Sequence, residues 1–248
     1  MKPQVGQFVW YEFLSTDVEA SMAYYTEVMG WKTMPFEESD KPYTMFCVGD
    51  QPIGGVSELP EEVKAQNIPS HWMASVMVDD VDKTVSRAKE LGGQIHLPAF
   101  DIKNVGRYSV IGDKEGAALG LFKPQNEMTL LPKNTQGVVG WKELNTTDNV
   151  SAMTFYQELF GWHKTEAMDM GEMGKYEMFG LKGVEGSLGG MSNAAKKMNF
   201  PPSWVYYVNV SDIDAAAKRA TSKGGTIHMG PMEVPGGAKI VMCMDPQG

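Results

Sequence analysis

FVWYEFLSTDVEASMAYYTEVMGW, residues 8–31, reads as a strand, a cap, an amphipathic helix, a glycine stop and the start of a second strand. Its opening residues are bulky and mostly apolar or aromatic, which suits a pleated, half-buried surface. Thr16 or Asp17 offers a side-chain oxygen to the unpaired amides of a helix start, and Glu19 completes a capping box if Thr16 is the cap. Val18, Met22, Tyr25 and Met29 recur at helical spacing and predict one apolar stripe. Gly30 suits the left-handed conformation that ends a helix.

The unit returns as WKELNTTDNVSAMTFYQELFGW, residues 141–162. Trp10, Glu12, Asp17, Met22, Tyr25, Glu27, Gly30 and Trp31 have counterparts 131 residues on, in Trp141, Glu143, Asp148, Met153, Tyr156, Glu158, Gly161 and Trp162. A second register, at 132, links Trp72, Asp80, Arg87, His96 and Asp113 to Trp204, Asp212, Arg219, His228 and Asp245. The step between registers is a one-residue indel within a tandem duplication. Inside the first half, Asp17 and Asp80, and Gly30 and Gly93, each stand 63 apart. Each half therefore holds two copies of a strand–helix–strand–strand–strand module.

Taken in order, YTMFCV, IGGVSEL, HWMASVMV, QIHL, RYSVIG and AALGLF read as the remaining strands of the first half. The helix after Asp80 has Val81, Val85, Ala88 and Leu91 as its predicted stripe. PEEVKAQNIPS is a polar, proline-bounded connector. The partition is a first domain at 1–122, a polar linker at 123–136 and a second domain at 137–248. The second half has no counterpart of AALGLFKP, so either the native chain is longer or its second domain is one strand short.

A length of 248 residues with 42% hydrophobic and 21% charged residues is ordinary for two globular domains. The net charge of −9 argues against nucleic acid and against an anionic membrane surface as partners. No signal peptide or transmembrane run is legible, and a cytoplasmic location is expected. Cys47 and Cys243 occupy non-equivalent positions and read as buried thiols, with neither metal nor disulfide spacing.

The motifs D-V-x-x-S-x-x-Y-Y-x-x-V-x-G-W, D-D-V-D-x-x-x-x-x-A-x-x-x-G-G and G-R-Y-x-x-x-x-D-x-x-G-A stand at residues 17–31, 79–93 and 106–117. With four βαβββ modules, they resemble the vicinal oxygen chelate superfamily of glyoxalases, bleomycin resistance proteins and dioxygenases, and its tandem glyoxalase-like branch. The resemblance implies an α+β fold in which four βαβββ modules pair into two cup-shaped mixed sheets with helices outside. In metal-dependent members, first-strand and last-strand residues of each module ligate a divalent ion. Carried over by position, first-strand ligands fall on Trp10, Met73, Trp141 and Val205, and the last-strand position of the second module falls near Gly120. None offers an oxygen or imidazole for such a cation. His71, His96, His163 and His228 do not supply the set either, so no metal and no cofactor are expected.

Strand alternation puts Phe8, Trp10, Glu12 and Leu14 on one face and Val9, Tyr11 and Phe13 on the other. The first face carries the implied ligand position and is assigned to the cleft. Glu12 and Glu143 are then catalytic or ligand-anchoring carboxylates, or structural ones bonded to a neighbouring amide or paired with a cation such as Arg107 or its counterpart Lys239. Trp10, Met73, Arg107, Trp141, Tyr207 and Lys239 complete the candidate ligand-binding set. Trp72 and Trp204 read as ring-stacking platforms or as core, and Gly54-Gly55 and Gly189-Gly190 as cleft floor or strand curvature.

Three functions fit: a metal-free binder of a small, partly apolar molecule, a glyoxalase-like lyase, isomerase or dioxygenase using a cleft Glu as base, or an interaction protein with filled clefts. The expected partner is a small molecule, with the chain a monomeric pseudo-dimer or a weak homodimer.

Overall fold

The computed structural model describes residues 1–39 and 41–248. Strand β1 (Phe8–Ser15) leads into helix α1 (Val18–Met29), capped by Asp17, whose carboxylate accepts from the Ala20 amide at 3.0 Å. Thr16 is drawn off instead by Ser70, whose hydroxyl accepts from its backbone amide at 2.9 Å. Gly30 ends the helix at φ 74°. Strands β2 (Lys32–Pro35), β3 (Thr44–Val48) and β4 (Gln51–Glu58) complete the first module. The connector forms a single helical turn, α2 (Glu61–Lys64).

The second module is β5 (His71–Met77), α3 (Val81–Glu90), β6 (Gln94–Ile102), β7 (Gly106–Gly112) and β8 (Ala118–Pro124). The third is β9 (Val139–Asn145), α4 (Asn149–Phe160), β10 (Trp162–Asp169), β11 (Lys175–Leu181) and β12 (Gly189–Ser192), followed by the short α5 (Ala194–Met198). The fourth is β13 (Ser203–Val208), α6 (Ile213–Ser222), β14 (Thr226–Glu233) and β15 (Lys239–Met244). The fold is α+β, as expected.

The first two modules share one mixed sheet in the order β2-β3-β4-β1-β5-β8-β7-β6. Within each module the first and last strands run parallel, as β1 with β4 and β5 with β8. A five-stranded sheet, β10-β11-β12-β9-β13, and a separate β14-β15 ladder follow. Among the described residues nothing stands where β8 stands in the first half, so β13 ends its sheet.

The chain condenses into two compact units that are a different partition from the halves. One contains residues 1–10, 73–130 and 141–206, hence most of the second and third modules. The other contains 11–72, 131–140 and 207–248, hence most of the first and fourth.

In the first of these units α3 packs on α4, and Arg87 pairs with Glu158 at 2.9 Å. Asp113, 1% exposed, accepts from the Tyr156 phenol at 3.0 Å. Trp162, fully buried, donates from Nε1 to the carbonyl of Gly6 at 2.7 Å.

The other unit repeats the devices with counterpart residues. There α1 packs on α6, Tyr25 donates to Asp245 at 2.8 Å, and Trp31 donates to the carbonyl of Gly137 at 2.7 Å. Gly6 and Gly137 both have positive φ, 89° and 83°, a conformation glycine alone adopts cheaply.

This pairing corrects the predicted helix stripe. Ser21, Tyr24, Tyr25 and Val28 are the buried residues of α1, while Val18, Met22 and Met29 are only partly buried against the same core. A single amphipathic face was expected, but α6 and the end of the chain cover a second one: Ser21 donates to Gln247 and Arg219 to the Val28 carbonyl. Cys243 is also corrected: it is exposed, while Cys47 is buried.

The duplication leaves one local mismatch. Ser15 shares a 2.7 Å hydrogen bond with Ser21 and accepts from the Asp17 amide. Its counterpart Thr146 is fully buried, but Ser21 has become Ala152, and the Thr146 hydroxyl has no hydrogen-bond partner among the described residues. Thr146→Val keeps the shape and removes the unpaired group, so it should raise stability by about 1 kcal/mol. Thermal unfolding should show a Tm gain of about 3 °C, and a lower Tm would refute the assignment.

Candidate functional site

Phe13 packs edge-on against Tyr25 of α1, 5.0 Å between ring centroids, and thereby marks the helix-covered face of β1. Trp10, Glu12 and Leu14 lie on the opposite face and are half-buried, while Val9, Tyr11, Phe13 and Ser15 are buried. Phe8 departs from the alternation: it is buried, stacked on Trp162 at 5.3 Å and edge-on to Trp204 at 5.6 Å.

Two carboxylate rows result, one in each compact unit. In the unit containing the first module, Glu12 pairs in register with Gly55 and Gly55 with Met45. A Cβ on Gly55 would collide with the Tyr43 hydroxyl oxygen, so glycine is required for that phenol to lie on the strand. Ser57 donates to Glu12 Oε1 at 2.8 Å.

In the other unit Glu143 pairs with Gly190 and Gly190 with Met178, and the ring of Tyr176 occupies the space a Gly190 side chain would need. Here Trp141 Nε1 donates to the Tyr176 oxygen at 2.8 Å, and Tyr176 donates to Glu143 Oε2 at 3.1 Å. Asn145 also bonds Glu143, and Ser192 donates to Asn145 Oδ1 at 3.0 Å.

Desolvation pushes both glutamates above their ordinary pKa, against the opposing pull of Ser57 on Glu12 and of Tyr176 and Asn145 on Glu143. Protein surrounds Glu12 closely enough for this shift, while the residue as a whole is half-buried. A carboxyl so poised can hold a ligand's polar group or move a proton.

The other candidates are distributed as follows. Arg107 is corrected as a cleft cation: its guanidinium grips Asp82 at 2.6 and 2.8 Å and Asp101 at 3.0 Å. Lys239 is exposed on β15, Met73 is buried, and Trp10, Trp141 and Tyr207 are half-buried. Trp72 donates to Tyr25, and buried Trp204 to Tyr156, so both belong to aromatic cores rather than to a stacking platform. Tyr43 and Tyr176 were missed by sequence reasoning. Their signal was present: each begins a Tyr-x-Met-Phe sequence that precedes a repeated Gly-Gly pair.

The family model of the glyoxalase/bleomycin resistance protein/dioxygenase superfamily matches residues 7–121 and again 138–248. The chain belongs to this superfamily. It is 30% identical over 241 residues to "Putative glyoxylase CFP32" of Mycobacterium tuberculosis, covering 96% of this chain and 90% of that one. It is 26% identical over 266 residues to the anthracycline biosynthesis protein DauV of a Streptomyces species, with 98% and 90% covered. Among solved structures, the Mn(II)-bound glyoxalase from Novosphingobium aromaticivorans has the same fold, with a TM-score of 0.65 at 15% identity, 99% of this chain and 80% of that one.

A superfamily metal ion does not fit the residues at the corresponding positions. Trp10, Met73, Trp141 and Val205 carry no hard or borderline donor, and Gly120 has no side chain. Among the described residues no three of His, Cys, Asp and Glu cluster to hold an ion. His71 is bonded locally to the Pro69 carbonyl at 2.8 Å. No described helix is long and apolar enough to cross a membrane.

Proposed function

We propose that this chain is a small-molecule-binding member of the superfamily in which a carboxylate, not a metal ion, is the polar anchor of the site. The observation that carries the reading is a desolvated glutamate on the helix-free face of the first strand, two residues beyond a tryptophan at the superfamily's ligand position. The walls around it, Met and Tyr with a glycine floor, suit a flat and partly apolar molecule. The relative named for anthracycline biosynthesis supports an aromatic ligand of that shape. A second reading, general-base catalysis of a lyase or isomerase type, is favoured by the raised pKa of Glu12 and its single hydrogen-bond partner.

Two measurements test the proposal together. Elemental analysis of protein purified without chelator should find Mn, Fe, Ni and Zn far below one ion per chain. Binding of a planar aromatic probe such as 1-naphthol, followed by tryptophan fluorescence, should be unchanged by EDTA. A stoichiometric ion whose removal abolishes binding would sink the carboxylate anchor.

A further inference from the structure

The two carboxylate rows descend from one ancestor but are not in the same hydrogen-bonding state. Glu143 receives Tyr176 on Oε2, with Asn145 as a second side-chain partner, and Tyr176 is itself held by Trp141. Two side chains of its own chain therefore engage Glu143. Glu12 receives Ser57 on Oε1, and among the described residues no other group hydrogen-bonds its carboxylate.

Tyrosine stands in both rows, as Tyr43 and Tyr176, so substitution accounts for the second partner only. Asn145, which bonds Glu143, has Leu14 as its counterpart, and Leu14 has no polar group to give. Ser192 in the second row is spent on Asn145, whereas Ser57 in the first reaches Glu12 directly. The Glu12 row is also lined by apolar Leu14 and Met45 and by the phenol of Tyr43 on Gly55, and none of the three brings a cation.

Surrounding protein strips part of the hydration from the half-buried Glu12 carboxylate, and its one side-chain donor replaces only some of it. The cost is recovered when a ligand supplies the missing donor. We propose that Glu12 is the single ligand-anchoring carboxylate of the chain, and that it selects molecules presenting a hydroxyl or amine donor from a flat apolar body. Glu143 is then the counterpart whose site has been closed internally. This inference rests on the small-molecule reading above and narrows it to one site and one ligand group.

The test compares 1-naphthol with 1-methoxynaphthalene, nearly the same body without the donor, by isothermal titration calorimetry on the full chain. The expected result is one site per chain, with the naphthol held about tenfold tighter, the scale of a hydrogen bond to a charged acceptor. Glu12→Met should erase that preference, as should Leu14→Asn, which installs the second half's internal partner. Glu143→Met should leave it intact.

Each variant is melted alongside wild type. Since Glu12→Met exchanges a desolvated carboxylate for an apolar side chain, its Tm should not fall, and Leu14→Asn reports independently if it does. Two equal sites, equal affinity for the two compounds, or a preference lost in Glu143→Met but kept in Glu12→Met would overturn the inference while leaving the carboxylate-anchored reading standing. Binding of neither compound would overturn both.

Discussion

Asp113→Ala is expected to cost about 3–5 kcal/mol, near the upper end for a single substitution. Asp113 is 1% exposed and serves three donors at once. Oδ1 accepts from the amides of Glu115 and Ala117, both at 2.9 Å, and Oδ2 accepts from Tyr156 at 3.0 Å. Alanine leaves all three donors with their desolvation cost and no acceptor. It also breaks a link between the second and third modules. Tm should fall by on the order of 10 °C. The counterpart Asp245→Ala should cost less, because Asp245 is only partly buried and serves Tyr25 and the Gln247 amide. A loss below about 1 kcal/mol for Asp113→Ala would mean that the turn repacks without it.

The same residue predicts a pH effect of defined sign. Burial raises the Asp113 pKa above its ordinary value, and the hydrogen bonds it accepts only partly offset this. A pKa raised on folding means that the folded state favours the protonated form. The corresponding stability is complete below the unfolded value, about 3.9, and is lost as pH rises through the higher folded value. Asp113→Asn cannot titrate, keeps an Oδ1 acceptor and can donate to Tyr156 instead. Its stability should therefore decline less than that of wild type as pH rises from about 4 toward neutrality. Glu12, Glu143 and Asp245 are shifted in the same direction and leave a residual slope. Partly exposed Asp80 and exposed Asp82, Glu58 and Glu127 are held low by their partners and act oppositely, losing their contribution as pH falls. Urea unfolding of both proteins across this range measures the difference, and parallel curves would refute it.

Local chemistry was legible in the sequence wherever a residue acts on its neighbours in the chain. Asp17, Asp80, Asp148 and Asp212 cap their helices, and Gly30 and Gly161 end theirs, because capping needs one side-chain oxygen or one permissive backbone. Alternation also held from Val9 to Ser15, though not at Phe8: the face bearing Glu12 is the one the helix leaves uncovered.

What periodicity could not show was the second covered face of α1, since Ser21 and Tyr24 are buried by a segment about 200 residues away. Arg107 was misplaced for a related reason. Its partner Asp82 lies in the helix after the cap, and a solvated strand start and a cleft cation look alike in one dimension. The candidate carboxylates could be named from alternation, but their different states depend on Tyr176 and Ser57, which reach them across strand pairings.

Trp162→Ala should destabilise the chain by about 4–5 kcal/mol, through a cavity, lost ring contacts and an unpaired carbonyl together. The indole is fully buried, stacked on Phe179 at 4.5 Å, with Phe8 at 5.3 Å and Tyr156 at 5.1 Å. Its Nε1 meets the carbonyl of Gly6, so a tryptophan of the second half holds the lead-in to the first. No side chain could fill the gap from Gly6 itself: a Cβ there would stand 2.9 Å from the Phe160 carbonyl oxygen. Trp162→Phe separates the contributions. It keeps most of the stacking and forfeits the N–H, so it should cost about 1–2 kcal/mol from the orphaned carbonyl and some loss of packing. Trp31→Ala, in the sister position, should cost somewhat less than Trp162→Ala because Trp31 is 6% exposed and its ring contacts are longer, 5.1 Å to Phe46 and 5.9 Å to Trp72. Urea denaturation of the three variants gives the ranking. If Trp162→Phe proves as damaging as Trp162→Ala, the hydrogen bond to Gly6 outweighs the packing, and the latch between the halves is chiefly polar.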